Sequence, residues 1–247
     1  MTFSENYQHN LVFAIAWTVI HSLWQCGLIA FLSQVLSQLA GVKNANLRCR
    51  LFSSALALCF AWSVVTFSRL FESASLSTTG GLISSSQIRM IAAWSSDQLP
   101  PVSDYLDWIA LFWLIGCVSM LLKLTFELAR AQHLKHHGTE LLSTDWQTKF
   151  LQLKQQIGLG KEIALRLSQR INIPCVIGHF KPVILLPSSV ILGLSPTQIE
   201  MIILHELAHI QRNDVLINFV QTVLKILFFF NPAVHFLSHR IDQEREH

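Results

Sequence analysis

Long uncharged runs, separated by short charged or polar stretches, dominate the first half of this chain. Leu11 to Leu32 is 22 residues without a formal charge at pH 7. A helix rising 1.5 Å per residue needs about 20 such residues to cross about 30 Å of hydrocarbon, so this run predicts a first membrane span. Leu51 to Ser68, bracketed by Arg50 and Arg69, predicts a second. Trp108 to Leu122 is shorter, but Lys123 can keep its charge at the interface while Leu124 to Phe126 extend a third. From Phe126 to Ile157 polar and apolar residues alternate without proline, which predicts one helix ended by Gly158 and Gly160. The pattern then changes to IALRLSQRINIPCVIGHFKPVILLP. Its Ile/Val content and its turn residues Gly178 to Lys181 predict short strands, among them a hairpin of Ile173–Ile177 with Val183–Leu186. Ser195, with Pro196 after it and Gln198 three positions on, predicts the capped start of a helix running to about Arg212.

Composition fits a membrane-bound chain. Hydrophobic residues make up 51% and charged residues 13%, against about 25% charged in an average soluble protein. The net charge of +3 and the lack of a basic run interleaved with aromatics give no support for nucleic-acid binding. Five cysteines without a CxxC pair read as small buried residues rather than a disulfide framework. No Lys or Arg precedes the first apolar run, so that run reads as a retained span rather than a cleaved leader. Lys43, Arg48 and Arg50 put the first connection inside the cell. The Ser-rich loop 69–107, with Asp97, Asp104 and Asp107, reads as outer. Lys123, Arg130, Lys135, Lys149 and Lys154 then place the region after the third span inside again. The N-terminus is therefore outside. His21 and Gln25 share a face of the first span and read as partners for hydrogen bonds between helices.

The chemistry is carried by HELAH, His205 to His209. Histidines four residues apart on a helix lie one turn apart on one face, where both imidazoles can reach one Zn²⁺. Glu206 stands beside the metal as the base that takes a proton from the attacking water. A catalytic zinc needs a third protein ligand and an open position. Downstream, Val215 to Phe230 is only about 24 Å long as a helix and carries Asn218, Gln221 and Lys225 in one stripe. It reads as one leg of an interfacial helical hairpin, 213–246, turning at Asn231-Pro232, the alternative being a fourth span with Lys225 inside it. On the returning helix His235, His239, Asp242 and Glu246 share one face, while Glu244 and Arg245 point elsewhere. His239 and Asp242 are either partners that orient the ligands or the polar face of that helix.

HSLWQ at His21, IPCVIGHFKPVILLP at Ile173, LSPTQIEMIILHELAHIQRND at Leu194, FNPAVHF at Phe230 and DQEREH at Asp242 together resemble peptidase family M56. These are membrane metallopeptidases of the antibiotic-sensing receptor type (BlaR/MecR-like). The resemblance implies one Zn²⁺ held by His205, His209 and Glu246, with Glu206 as base. It also implies a bacterial-type inner membrane and a protein substrate, the chain itself or a repressor, cut to relay a signal. By analogy with gluzincin-like peptidases, the strand Cys175, Val176, Ile177, Gly178 either offers an edge for substrate or is a plain structural hairpin. In the family an Asp follows the ligand Glu by four positions; the sequence stops at His247 and so reads as truncated. No Ser-x-x-Lys motif is present for β-lactam sensing. The expected architecture is mainly α, a multi-span integral membrane protein with a small cytoplasmic α+β zincin-like domain. Residues 1–126 form the three-span region and 127–247 the metallopeptidase domain. The competing reading is a non-catalytic membrane sensor or scaffold with structural zinc, against which an intact Glu206 argues.

Overall fold

The uncharged runs become long helices in the computed structural model, which describes residues 3–39, 44–78, 105–136, 139–178 and 181–246. Helix α1 is Phe3–Leu39, α2 is Ala45–Thr78 and α3 is Leu106–His136. Three stretches within them, Tyr7–Leu39, Ala45–Ala74 and Leu106–Leu134, are long and apolar enough to cross a membrane. Most of the outer loop expected at 69–107 lies outside the described residues.

The helix expected over Phe126–Ile157 is interrupted. After α3 the chain forms strand β1, Thr139–Leu141, and only then helix α4, Thr144–Ile157. Pairing overrides local propensity here: Glu140 sits opposite Leu167, and Arg166 Nη1 donates to Thr139 Oγ1 at 3.1 Å. Gly158, at φ +75°, ends α4 in the left-handed conformation that glycine adopts without steric cost.

Strands β2 (Ala164–Ser168), β3 (Cys175–Ile177) and β4 (Val183–Pro187) complete a sheet of order β1-β2-β4-β3. The expected hairpin is present, with Cys175 opposite Leu185 and Ile177 opposite Val183. Residues 179 and 180 of its turn lie outside the described residues. A parallel pairing of β2 with β4 joins it. Strand β4 is buried along its whole length, as an inner strand written VILLP should be. Helices α5 (Ser188–Gly193), α6 (Pro196–Gln211), α7 (Asp214–Leu227) and α8 (Pro232–Glu246) come after the sheet.

The chain divides into two compact units. In the first, Met1–Met120 with Leu224–His247, α1 packs along α2, and α8 packs on both. Cys26, Ile29 and Ala30 of α1 meet Phe52, Ala55, Leu56 and Cys59 of α2, with Val234, Leu237 and Ile241 of α8. Several polar groups buried here pair internally. Gln25 Nε2 donates to Thr66 Oγ1 at 3.1 Å between α1 and α2, as expected for that residue. Ser22, Ser33 and Ser63 donate to carbonyls of their own helices. The turn between α7 and α8 is gripped on two sides. Trp113 Nε1 donates to Leu227 O at 2.9 Å, and buried Asn231 donates through Nδ2 to Ser22 O at 2.9 Å. Gly116 makes room for the turn, since a Cβ there would lie 2.2 Å from the Phe229 ring.

In the second unit, Leu121–Val223, α4 and α6 share one core with the sheet. Phe150 and Leu153 of α4 meet Leu165, Ile184 and Leu186 of the strands. Ile199, Ile203, Leu207 and Ile210 of α6 recur at helical spacing and close it.

Candidate metal centre

Burying Ile199, Ile203, Leu207 and Ile210 fixes how α6 is rotated, and so leaves His205 exposed and Glu206 and His209 partly so. The helix begins as expected: Ser195 Oγ accepts from Gln198 N, and Gln198 Oε1 accepts from Ser195 N at 2.9 Å, with Pro196 in the first turn. It ends at Arg212, where Asn213 takes φ +57°. Asparagine tolerates this left-handed turn, which stops α6 and starts α7 one residue later.

The turn has a chemical consequence. It returns Asp214 to the imidazole of His209, with Oδ2 2.6 Å from Nδ1. Arg212 Nη2 donates to the same oxygen at 3.3 Å, and the Asp214 side chain is only 6% exposed. A carboxylate on Nδ1 places the ring proton there and leaves the Nε2 lone pair outward, the arrangement that recurs behind metal-bound histidines. That Nε2 lies 2.9 Å from Nε2 of His205. Tetrahedral zinc at about 2.0–2.1 Å from each nitrogen would set the two about 3.3 Å apart, within reach of a small ring rotation. The donor set therefore fits zinc: two imidazoles converge, one of them oriented by a buried carboxylate.

Sequence spacing points to orienting partners only further downstream, at His239 and Asp242, and does not single out Asp214. The signal is present, a helix-stopping Asn before an Asp, but its value depends on a backbone angle that spacing does not disclose.

Glu206 faces strand β3. Burial first, and then the Glu206 carboxylate, push the Cys175 thiol above its ordinary value. Among the described residues strand β3 has a single neighbour, β4, so Cys175 to Ile177 form an edge of the sheet there. A groove of about 580 Å³ opens beside them, with His205 and Glu206 among its lining residues.

The other expected site residues lie on α8, in the first unit. His239 Nε2 is 3.0 Å from Gln243 Nε2 on its own helix, and Asp242 is exposed. Glu246 is the last residue of α8, and its side chain lies outside what the structure describes. Among the described residues no third His, Cys, Asp or Glu completes a metal-holding group with the histidine pair.

A 138-residue stretch, 56% of the chain, is 31% identical to the methicillin resistance mecR1 protein of Staphylococcus aureus, covering 23% of that protein. A 134-residue stretch, 54% of the chain, is 30% identical to the regulatory protein BlaR1 of Bacillus licheniformis, covering 22% of it. The chain thus matches less than a quarter of the length of either relative. Residues 18–247 match the family profile described as BlaR1 peptidase M56. With three helices apolar enough to span a bilayer and a match over nearly its whole length, this chain is a membrane protein belonging to the M56 peptidase family.

Proposed function

We propose that this chain is a membrane-embedded, zinc-dependent endopeptidase with a zincin-like centre. It cuts a protein segment at the cytoplasmic face of a bacterial-type inner membrane to relay a signal. The observation that carries this reading is the convergence of His205 and His209, Nε2 to Nε2 at 2.9 Å, with Asp214 holding the far nitrogen of His209. A structural zinc site needs no base, yet Glu206 follows the first histidine and lines the adjoining groove. The regulatory naming of a relative supports signalling, and Lys43 ahead of α2 with Arg48 and Arg50 in its first turns supports the orientation.

In this reading His205, His209 and Glu246 hold the ion, and residues 127–247, with the hairpin 213–246, form the peptidase portion. Zinc bound there supplies a Lewis acid that polarises the peptide carbonyl and makes the attacking water more acidic. The chain's own residues do the rest. The Glu206 carboxylate takes the proton of the attacking water and delivers it to the departing amine. Asp214 keeps His209 in the one tautomer that can bind metal through Nε2. The edge formed by Cys175, Val176, Ile177 and Gly178 aligns substrate backbone as an added strand. His239 and Asp242 orient the third ligand.

The test uses the purified chain in lipid nanodiscs, with zinc measured by mass spectrometry and cleavage of the chain or a candidate repressor followed by gel. Glu206→Gln is expected to keep its zinc while cleavage falls by about 10²–10⁴-fold. Unchanged cleavage in that variant, or wild-type chain that holds zinc and cuts nothing, would overturn the reading.

A further inference from the structure

We infer that the cleft between α2 and α3 is a lipid site, holding one acyl chain of a bilayer phospholipid against the turn that joins α7 to α8. This concerns the first unit alone and does not depend on the peptidase reading. A cavity of about 300 Å³ lies there, at the lower end of the usual range of about 300–1,000 Å³ for small-molecule sites. Val19 of α1, Phe60 and Val64 of α2, Trp113 of α3, and Leu227 and Phe230 at the turn are among its lining residues.

The cavity follows from where the chain turns back. Each of α1, α2 and α3 contains a stretch long and apolar enough to cross a membrane. The turn into α8 comes where Asn231 reaches Ser22 O, near the middle of Tyr7–Leu39. Beyond that level the returning chain supplies no side chains to fill the space between the spans. Helix α1 packs on α2 through Cys26 and Ala30, and on α3 through Ala16 with Leu106 and Ala110. Among the described residues no core cluster joins α2 to α3, so the cleft between them is not closed by protein.

The lining selects hydrocarbon. Its four polar side chains commit their donors within the protein: Thr18, Ser22 and Ser63 to carbonyls of their own helices, and Trp113 to Leu227 O. A buried water needs several polar partners, and this site has few to give. Left empty, the lining would forfeit dispersion contacts on its open side. The bilayer supplies the occupant. Phe60 and Val64 line the cavity and are also 41% and 48% exposed, so its wall runs on into the outward surface of a span. A lipid tail can therefore enter sideways without leaving hydrocarbon.

The experiment separates a held tail from passing lipid. The full chain is reconstituted in phosphatidylglycerol vesicles doped with a phospholipid that carries a diazirine midway along one acyl chain. It is then extracted into a maltoside detergent, washed, and irradiated at intervals, with adducts placed by peptide-level mass spectrometry. Exposed Leu58 of α2, outside the lining, reports lipid at the open surface. Adducts there are expected to fade with washing, while those at Val19 and Val64 persist several-fold longer. Val64→Trp and Ser63→Leu each add bulk to the lining and are expected to lose the persistent adducts, with Leu58 labelling before the wash unchanged. Lining adducts that fade as fast as those at Leu58, or none at all, would overturn the inference on the wild-type chain alone, whether or not the variants fold. Persistence that survives in both folded variants would overturn it too. So would a photoreactive residue at position 64 that captures a second copy of the chain and no lipid.

Discussion

The two compact units use apolar residues in opposite ways. In the second, large aliphatic side chains turn inward: Ile184, Leu186, Ile203 and Leu207 are fully buried between sheet and helix. In the first, many large side chains turn outward, including Phe31, Leu32, Leu58, Phe112 and Ile115, while the seam between the helices mixes small residues such as Cys26, Ala30, Ala55 and Cys59 with Ile29, Phe52, Leu56 and Leu237. Water drives the inward arrangement, because burying apolar surface is what stabilises a core. Lipid supports the outward one, because hydrocarbon is as apolar as leucine and close helix approach is gained through small side chains and internal hydrogen bonds. Exposure therefore means different things in the two units. An exposed Leu on α2 sits in the solvent it was chosen for, whereas exposed Ile173 and Met201 at the groove lie uncovered.

The most direct way to break this comparison is to empty the water-driven core. Ile203→Ala removes a fully buried side chain from the inner face of α6 and is expected to cost about 2–5 kcal/mol. Pulse proteolysis of the second unit would read it. A cost below about 1 kcal/mol would mean that this face is not the core of the helix carrying the candidate metal ligands.

A charge placed on each kind of exposed surface sharpens the contrast. Leu58, mid-way along α2, and Met201, on α6, are 51% and 60% exposed. Leu58→Arg is expected to cost about 2.5–3.5 kcal/mol on a membrane-insertion assay. Met201→Arg is expected to change unfolding of the second unit by no more than about 0.5 kcal/mol. Equal effects would show that both helices face the same solvent and would remove the case for a second span.

Legibility in the sequence divides along the same line. The spans, the capping box at Ser195, the β3–β4 hairpin and the turn at Asn231-Pro232 are written in local pattern, and each forms where expected. Features resting on non-local pairing are not legible. Strand β1 has three residues and exists because β2 pairs with it. The parallel register of β2 with β4 joins segments whose partnership no spacing announces. Val234, Leu237 and Ile241 show the stripe of an amphipathic helix, but periodicity does not say which surface fills it, and in the fold it is α1 and α2. At the candidate site the histidine pair is legible from its four-residue spacing. Asp214 is not, because its contact with His209 depends on Asn213 adopting φ +57°.

The smallest expected effect probes the boundary between the buried sheet and the exposed chemistry. Cys175 sits on the edge strand, where burial and then the Glu206 carboxylate raise its thiol above the ordinary value. A raised thiol carries less thiolate at a given pH, and the thiolate is the form that reacts with alkylating agents. In chelator-treated protein at pH 8, Cys175 should therefore be modified slowly by N-ethylmaleimide, faster as pH rises. Glu206→Gln removes the negative charge that disfavours the thiolate, so the thiol should move back toward its ordinary value. It should then react several-fold faster at the same pH, as peptide-level mass spectrometry would read. Burial, the larger cause, remains in the variant, so the rate should stay below that of a fully exposed thiol. No acceleration in Glu206→Gln would mean that the carboxylate does not face the edge strand, and that backbone edge and candidate base are not arranged to meet one substrate.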